Sequence, residues 1–110
     1  MSEKMIGVYI MGNKTKTLYT GVTNNLIRRI LEHKKGLTKG FTKKYNLKMC
    51  FYYEFCENIQ QAIIREKQIK NMKREEKLNL IKLKNPLFAD ISNELFSLVD
   101  DPKGVVTFNP

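Results

Sequence analysis

The chain is read as a single small α/β (α+β) domain. Two observations predict this. Short β-rich runs with alternating faces open the sequence, and segments with helical spacing fill much of the remainder. At 110 residues and 42% hydrophobic, it has material for one core and little to spare. There is no internal repeat and no low-complexity segment.

The elements come in order. Met5 to Met11 and Thr17 to Thr23 are the first two runs, and the turn chemistry of GNKTK between them makes a hairpin. Asn24 or Asn25 can cap a helix running to about Lys35. Gly36 to Asn46 reads as a basic loop with two glycines, and Met49 to Phe55 as a third strand. Asn58 can cap a second long helix. After a bend near Asn71, a further helical stretch runs from about Lys73 to Lys84, until Pro86 stops it. These elements place the domain at residues 1–92, with an acidic tail of unassigned role at 93–110.

Charge narrows the partners. The net charge is +9, a property that speaks of partners rather than fold. Leu26 to Lys48 holds eight Lys+Arg and one Glu; Arg65 to Lys84 holds eight Lys+Arg and three Glu. Pro86 to Pro110 holds one Lys and four acids. The basic middle is therefore the candidate binding surface, with nucleic acid ahead of an anionic membrane. No stretch approaches the ~18 apolar residues of a membrane-spanning helix. The opening MSEKMIGVYI is too short and too polar for a secretory signal. Cys50 and Cys56 would lie roughly 20 Å apart on a strand at ~3.3 Å per residue, too far to bridge. They are expected to be reduced thiols in a cytoplasmic protein. One histidine and no close cysteine pair argue against structural zinc.

Residue parity sorts the hairpin. Ile6, Val8, Ile10, Leu18, Thr20 and Val22 make one face, the plausible core. Gly7, Tyr9, Tyr19 and Gly21 fall together on the other, which leaves two hydroxyls with open space around them. Tyrosine also fills half-buried strand surface as a matter of course. In the first helix, Leu26, Ile27, Ile30 and Leu31 form the apolar stripe. Arg29 and His33, four apart, share its edge and can border a cleft or belong to a solvated basic face. Arg28 lies on the far side of the stripe, and Lys34 and Lys35 read as phosphate-attracting surface. In the second helix, Ile59, Ala62, Ile63 and Ile69 mark the buried side, and Glu66 falls near its middle. A carboxylate there needs a partner, because desolvating it costs several kcal/mol. The partner can be a neighbouring Lys or Arg, or a metal ion. A lone carboxylate suits Mg²⁺, which keeps most of its waters and takes few protein oxygens.

Taken together these residues resemble the GIY-YIG nuclease family. Gly7-Val8-Tyr9 stands at the first motif and Tyr19-Thr20-Gly21 at the second, with nine residues between the two tyrosines. TNNLIRRILEH looks like the family's helix, with its arginine at Arg29 and its histidine at His33. Glu66 in AIIREKQIK matches the metal-binding carboxylate, and Asn85 in KNPLFAD the asparagine near the domain's end. The resemblance covers roughly residues 4 to 92. In size it points to the small stand-alone bacterial members, akin to the GIY-YIG nuclease module of the bacterial excinuclease. Val8 replaces the usual isoleucine, and Phe88 stands where these members often have tryptophan.

The resemblance implies a three-stranded, mainly antiparallel sheet flanked by three or so helices. It implies metal-dependent hydrolysis of phosphodiesters, with DNA as substrate ahead of RNA, weak sequence specificity and a place in DNA repair or recombination. Glu66 would hold Mg²⁺ or Mn²⁺, and no small-molecule cofactor is expected. Arg29 would pair with the non-bridging phosphate oxygens. Tyr9 would orient or deprotonate the attacking water with Tyr19 supporting it, and His33 is the alternative base. A tyrosine, with its reference pKa of ~10, needs cationic or metal help to act as base. Asn85 would be a phosphate contact or support the site from behind. Lys39, Lys43 and Lys44 would track the backbone beside Lys34 and Lys35. A binding module that keeps the fold without cutting, and an adaptor for an acidic partner, are the rival readings.

Overall fold

The computed structural model describes residues 5–98. The strands among them are β1 Gly7–Gly12, β2 Leu18–Thr23 and β3 Met49–Phe55. They form one sheet in the order β2-β1-β3, and both pairings are antiparallel. The helices among the described residues are α1 Leu26–Lys34, α2 Phe41–Lys44, α3 Ile59–Lys70, α4 Arg74–Lys84 and α5 Ser92–Phe96.

The central strand β1 is buried along its whole length, because helices cover both faces of the sheet. Tyr9 and Met11 pack with Leu26, Ile27 and Ile30 of α1 and Leu95 of α5. Val8 and Ile10 pack with Ala62 and Ile69 of α3 and Ile81 of α4. The alternation of faces is as the sequence predicts. The open space expected around the tyrosines is not there: that face carries a core of its own, and Tyr9 is 1% exposed.

Local signals explain the element ends. Asn13 shapes the hairpin turn, its side-chain carbonyl accepting the N–H groups of Thr15 at 3.1 Å and Thr17 at 3.0 Å. Asn25 caps α1 by accepting the Arg28 N–H, and Asn58 caps α3 by accepting the Gln61 N–H. On α3, Ala62 and Ile69 are buried and Ile59 half-buried, but Ile63 is exposed. Helical spacing alone puts Ile63 on the buried side, and the structure corrects this. At ~100° per residue it sits at the rim of the stripe that Ile59, Ala62, Glu66 and Ile69 share.

Two short helices replace segments that the sequence presents as irregular. α2 lies within the basic loop, closed by Asn46 in the left-handed region at φ 57°. α5 begins at Ser92 and carries fully buried Leu95 into the core. Most of the acidic tail, residues 99–110, lies outside the described residues. Cys50 and Cys56 are both free thiols.

Candidate active site

Three rings from three elements meet beside the β1–β2 hairpin. Tyr9 on β1 pairs across the sheet with Gly21, and Tyr19 on β2 pairs with Met11. His33 comes from the last turn of α1. The ring centroids lie 5.2 Å apart for Tyr9 and His33, 5.8 Å for Tyr19 and His33, and 6.3 Å for the two tyrosines. Gly21 makes this possible: a Cβ there would come within 2.4 Å of the Tyr9 ring and hydroxyl. Only glycine lets the Tyr9 ring lie across β2.

A hydrogen-bonded chain runs inward from Tyr9. Its hydroxyl is 2.9 Å from His33 Nε2. His33 Nδ1 is 3.2 Å from Thr38 Oγ1, which is 2.7 Å from Thr42 Oγ1. Burial, then the nearby Arg29 charge, pushes the His33 pKa down to about 4. The imidazole is therefore neutral at pH 7 and carries one N–H. Burial pushes Tyr9 up to about 12, so its phenol stays protonated and is the natural donor to Nε2. We assign the imidazole N–H to Nδ1, donating to Thr38, on that ground. Thr38 and Thr42 carry no signal in the sequence, because their contacts cross a loop.

Arg29 borders the cluster, and Glu66 reaches it through Lys70. The Arg29 guanidinium lies beside the Tyr9 hydroxyl and donates to Glu32 Oε1 at 3.1 Å. Its side chain is 41% exposed, which makes it the charged group through which the buried Tyr9–His33 pair meets solvent. The Glu66 side chain is 12% exposed, as its position on the buried side of α3 predicts. Its Oε2 is 2.8 Å from Lys70 Nζ, and Lys70 lies 6.0 Å from the Tyr19 ring centroid. The sequence leaves the partner of Glu66 open between a cation and a metal ion. The i,i+4 spacing on one helix is the signal that points to Lys70.

The other expected site residues divide. Lys35, Lys39, Lys43 and Lys44 are exposed. Lys34 is not a free phosphate contact: it forms an ion pair with Asp90 and donates to the Lys48 carbonyl. Asp90 in turn accepts the Cys50 and Ser92 N–H groups. Asn85 is buried, and its amide donates to the carbonyls of Phe51 at 3.0 Å and Ala89 at 2.8 Å. Its carbonyl accepts the Ala89 N–H. These bonds tie the end of α4 to β3.

Among the described residues, no group of three or more His, Cys, Asp or Glu is gathered. Glu66 therefore offers a cation one carboxylate rather than a closed set of protein ligands. That fits a hard divalent ion that keeps its waters and takes further oxygens from a substrate phosphate, and it does not fit a closed structural site. No helix among the described residues is long and apolar enough to cross a membrane.

Residues 5–79 match the description "GIY-YIG catalytic domain". A UPF0213 protein of Clostridium perfringens (strain 13 / Type A) is 42% identical over 78 residues, covering 71% of this chain and 84% of that one. A UPF0213 protein of Syntrophus aciditrophicus (strain SB) is 41% identical over 80 residues, covering 72% and 91%. One from Staphylococcus haemolyticus (strain JCSC1435) is 36% identical over 74 residues, covering 67% and 90%. No solved structure matches.

Proposed function

Because this chain belongs to the GIY-YIG family, we propose that it is a metal-dependent endonuclease that hydrolyses phosphodiester bonds in DNA with weak sequence specificity. One observation carries the reading. Tyr9, Tyr19, Arg29 and His33 meet beside the β1–β2 hairpin, and Glu66 is linked to them through Lys70, 6.0 Å from the Tyr19 ring centroid.

The residues take complementary roles. Arg29, charged and partly exposed, pairs with the non-bridging oxygens, where negative charge grows in the transition state. Glu66 would hold a divalent ion, Mg²⁺ or Mn²⁺, which polarises a phosphate oxygen and stabilises the leaving group. Half-buried Tyr19 presents the hydroxyl that orients the attacking water. Tyr9, almost wholly buried, stands behind it as the link to His33. His33 is neutral near pH 7 and has Nε2 as a proton acceptor for the Tyr9 hydroxyl. Arg29 lowers the cost of charge on the phenol that burial otherwise raises. A role in DNA repair or recombination suits a domain that cuts without strong sequence preference.

One observation favours the rival reading of a binding module that does not cut. The Lys70 ammonium sits on Glu66, where the metal would be held. A plasmid-nicking assay decides. Nicking in Mg²⁺ that stops in EDTA is the expected result. Binding without nicking in either condition would overturn the enzyme reading and leave the module.

A further inference from the structure

We propose that α2 is a stacking platform for the unpaired bases of a nucleic-acid strand. The proposed nuclease then holds a single-stranded portion of its DNA, such as that of a flap, a gap, a branch or the unpaired patches of a negatively supercoiled plasmid. The inference rests on the nucleic-acid reading above but not on cleavage.

The two sides of α2 differ in kind. Thr42 is its buried residue, and its hydroxyl ends the hydrogen-bonded chain from Tyr9 through His33 and Thr38. Phe41, on the helix, and Tyr45, which ends it, face solvent at 46% and 42% exposure, one turn apart, with ring centroids 4.7 Å from each other. Two adjacent aromatic rings left nearly half exposed present π-faces to a ligand. Charge then selects the ligand. Lys39, Lys43 and Lys44 are exposed around the pair, and Lys44 Nζ lies 5.4 Å from the Tyr45 centroid.

Cavities extend the pattern on either side. On the Phe41 side, one of about 340 Å³ is lined by Lys16, Arg74 and Lys77. On the Tyr45 side, one of about 410 Å³ is lined by Lys14 and Lys48. No acid lines either. Aromatic faces between two cationic hollows match a strand whose bases stack while its phosphates pass into the basic ground on each side. A duplex keeps its base faces inside its own stack, so it can use the lysines but not the rings. The hydrogen bonds through Thr42 and Thr38 hold the platform at a fixed place relative to His33 and Tyr9.

The chain contains no tryptophan, so Phe41→Trp installs a single reporter at the platform. It is titrated in EDTA with an oligo-dT strand, an oligo-rU strand and a blunt duplex of equal length. We expect the single strand to quench the tryptophan emission and the duplex to leave it unchanged. The rU arm tells whether RNA shares the site. Fluorescence anisotropy of labelled oligonucleotides then compares the unmodified protein with Phe41→Ala, Tyr45→Ala. Single-strand affinity should fall about tenfold, within the range for losing base stacking, while duplex affinity changes less than twofold. A circular dichroism melt confirms that both variants are folded. Absence of quenching, or an equal loss for strand and duplex, would overturn the platform. An unchanged single-strand affinity would do so as well, and would leave the aromatic pair to a protein partner. Binding in EDTA and nicking in Mg²⁺ are separate readouts, so failure here is distinguishable from failure of the enzyme reading.

Discussion

His33 is where burial decides chemistry. Sequence spacing puts it at the edge of an apolar stripe; the structure buries it to 3% exposure against Tyr9 and Thr38. Its ordinary pKa is near 6.5, and the folded value is about 4. Between those values the unfolded chain binds a proton that the folded chain refuses. Stability therefore rises with pH through this window and is lost as pH falls from 6.5 towards 4. The chain has one histidine, and the carboxyls of Glu54 and Asp90 are held below their ordinary values by Arg65 and Lys34. Urea unfolding should show a loss of about 1–2 kcal/mol between pH 7 and pH 5. His33→Gln should flatten that dependence. An equally steep fall in the variant would remove His33 as its source.

At the scale of the element, the hairpin builds the site and Gly21 sets its limits. Gly21→Ala forces either the Tyr9 ring or the β1–β2 pairing to move, since the added methyl would lie 2.4 Å from the ring. Overpacking of this kind costs about 1–3 kcal/mol, and it should also break the Tyr9–His33 hydrogen bond. A lower melting temperature together with lost nicking is the expected result. A variant with both unchanged would mean that the ring has room the structure does not provide. The same hairpin shows which parts of the fold are legible in sequence. Alternating faces, turn residues and Asn caps are local signals, and β1 to β3, α1, α3 and α4 obey them. α2 and α5 are too short to show a helical period. The burial of Tyr9 is not legible, because it depends on helices that come later in the chain covering both faces of β1. The position of Glu66 is legible from the α3 stripe. The structural uses of Asn85 and Lys34 are hidden because their partners, Phe51 and Asp90, are remote in sequence.

For the whole molecule, charge and chemistry are arranged separately. Among the exposed lysines, Lys39, Lys43 and Lys44 lie on the Gly36–Asn46 segment, while the ring cluster sits under α1. Affinity for DNA should therefore fall steeply with salt, with a slope of ~0.9 per phosphate neutralised. Lys43→Glu, Lys44→Glu should weaken binding and reduce that slope without lowering the melting temperature, since both side chains are exposed. A slope unchanged by the double substitution would place the phosphate contacts elsewhere. Glu66 bears on the central claim most directly. Its ion-pair partner Lys70 is 49% exposed, so losing the pair is worth at most about 1 kcal/mol. Glu66→Gln keeps the size of the side chain and removes the charge that would hold a cation. The decisive measurement is plasmid nicking in Mg²⁺ by Glu66→Gln beside the unmodified protein, with the melting temperatures of both taken in EDTA. The account predicts a loss of nicking of at least about 100-fold with the melting temperature nearly unchanged. A variant that still nicks DNA in Mg²⁺ at the unmodified rate would contradict it.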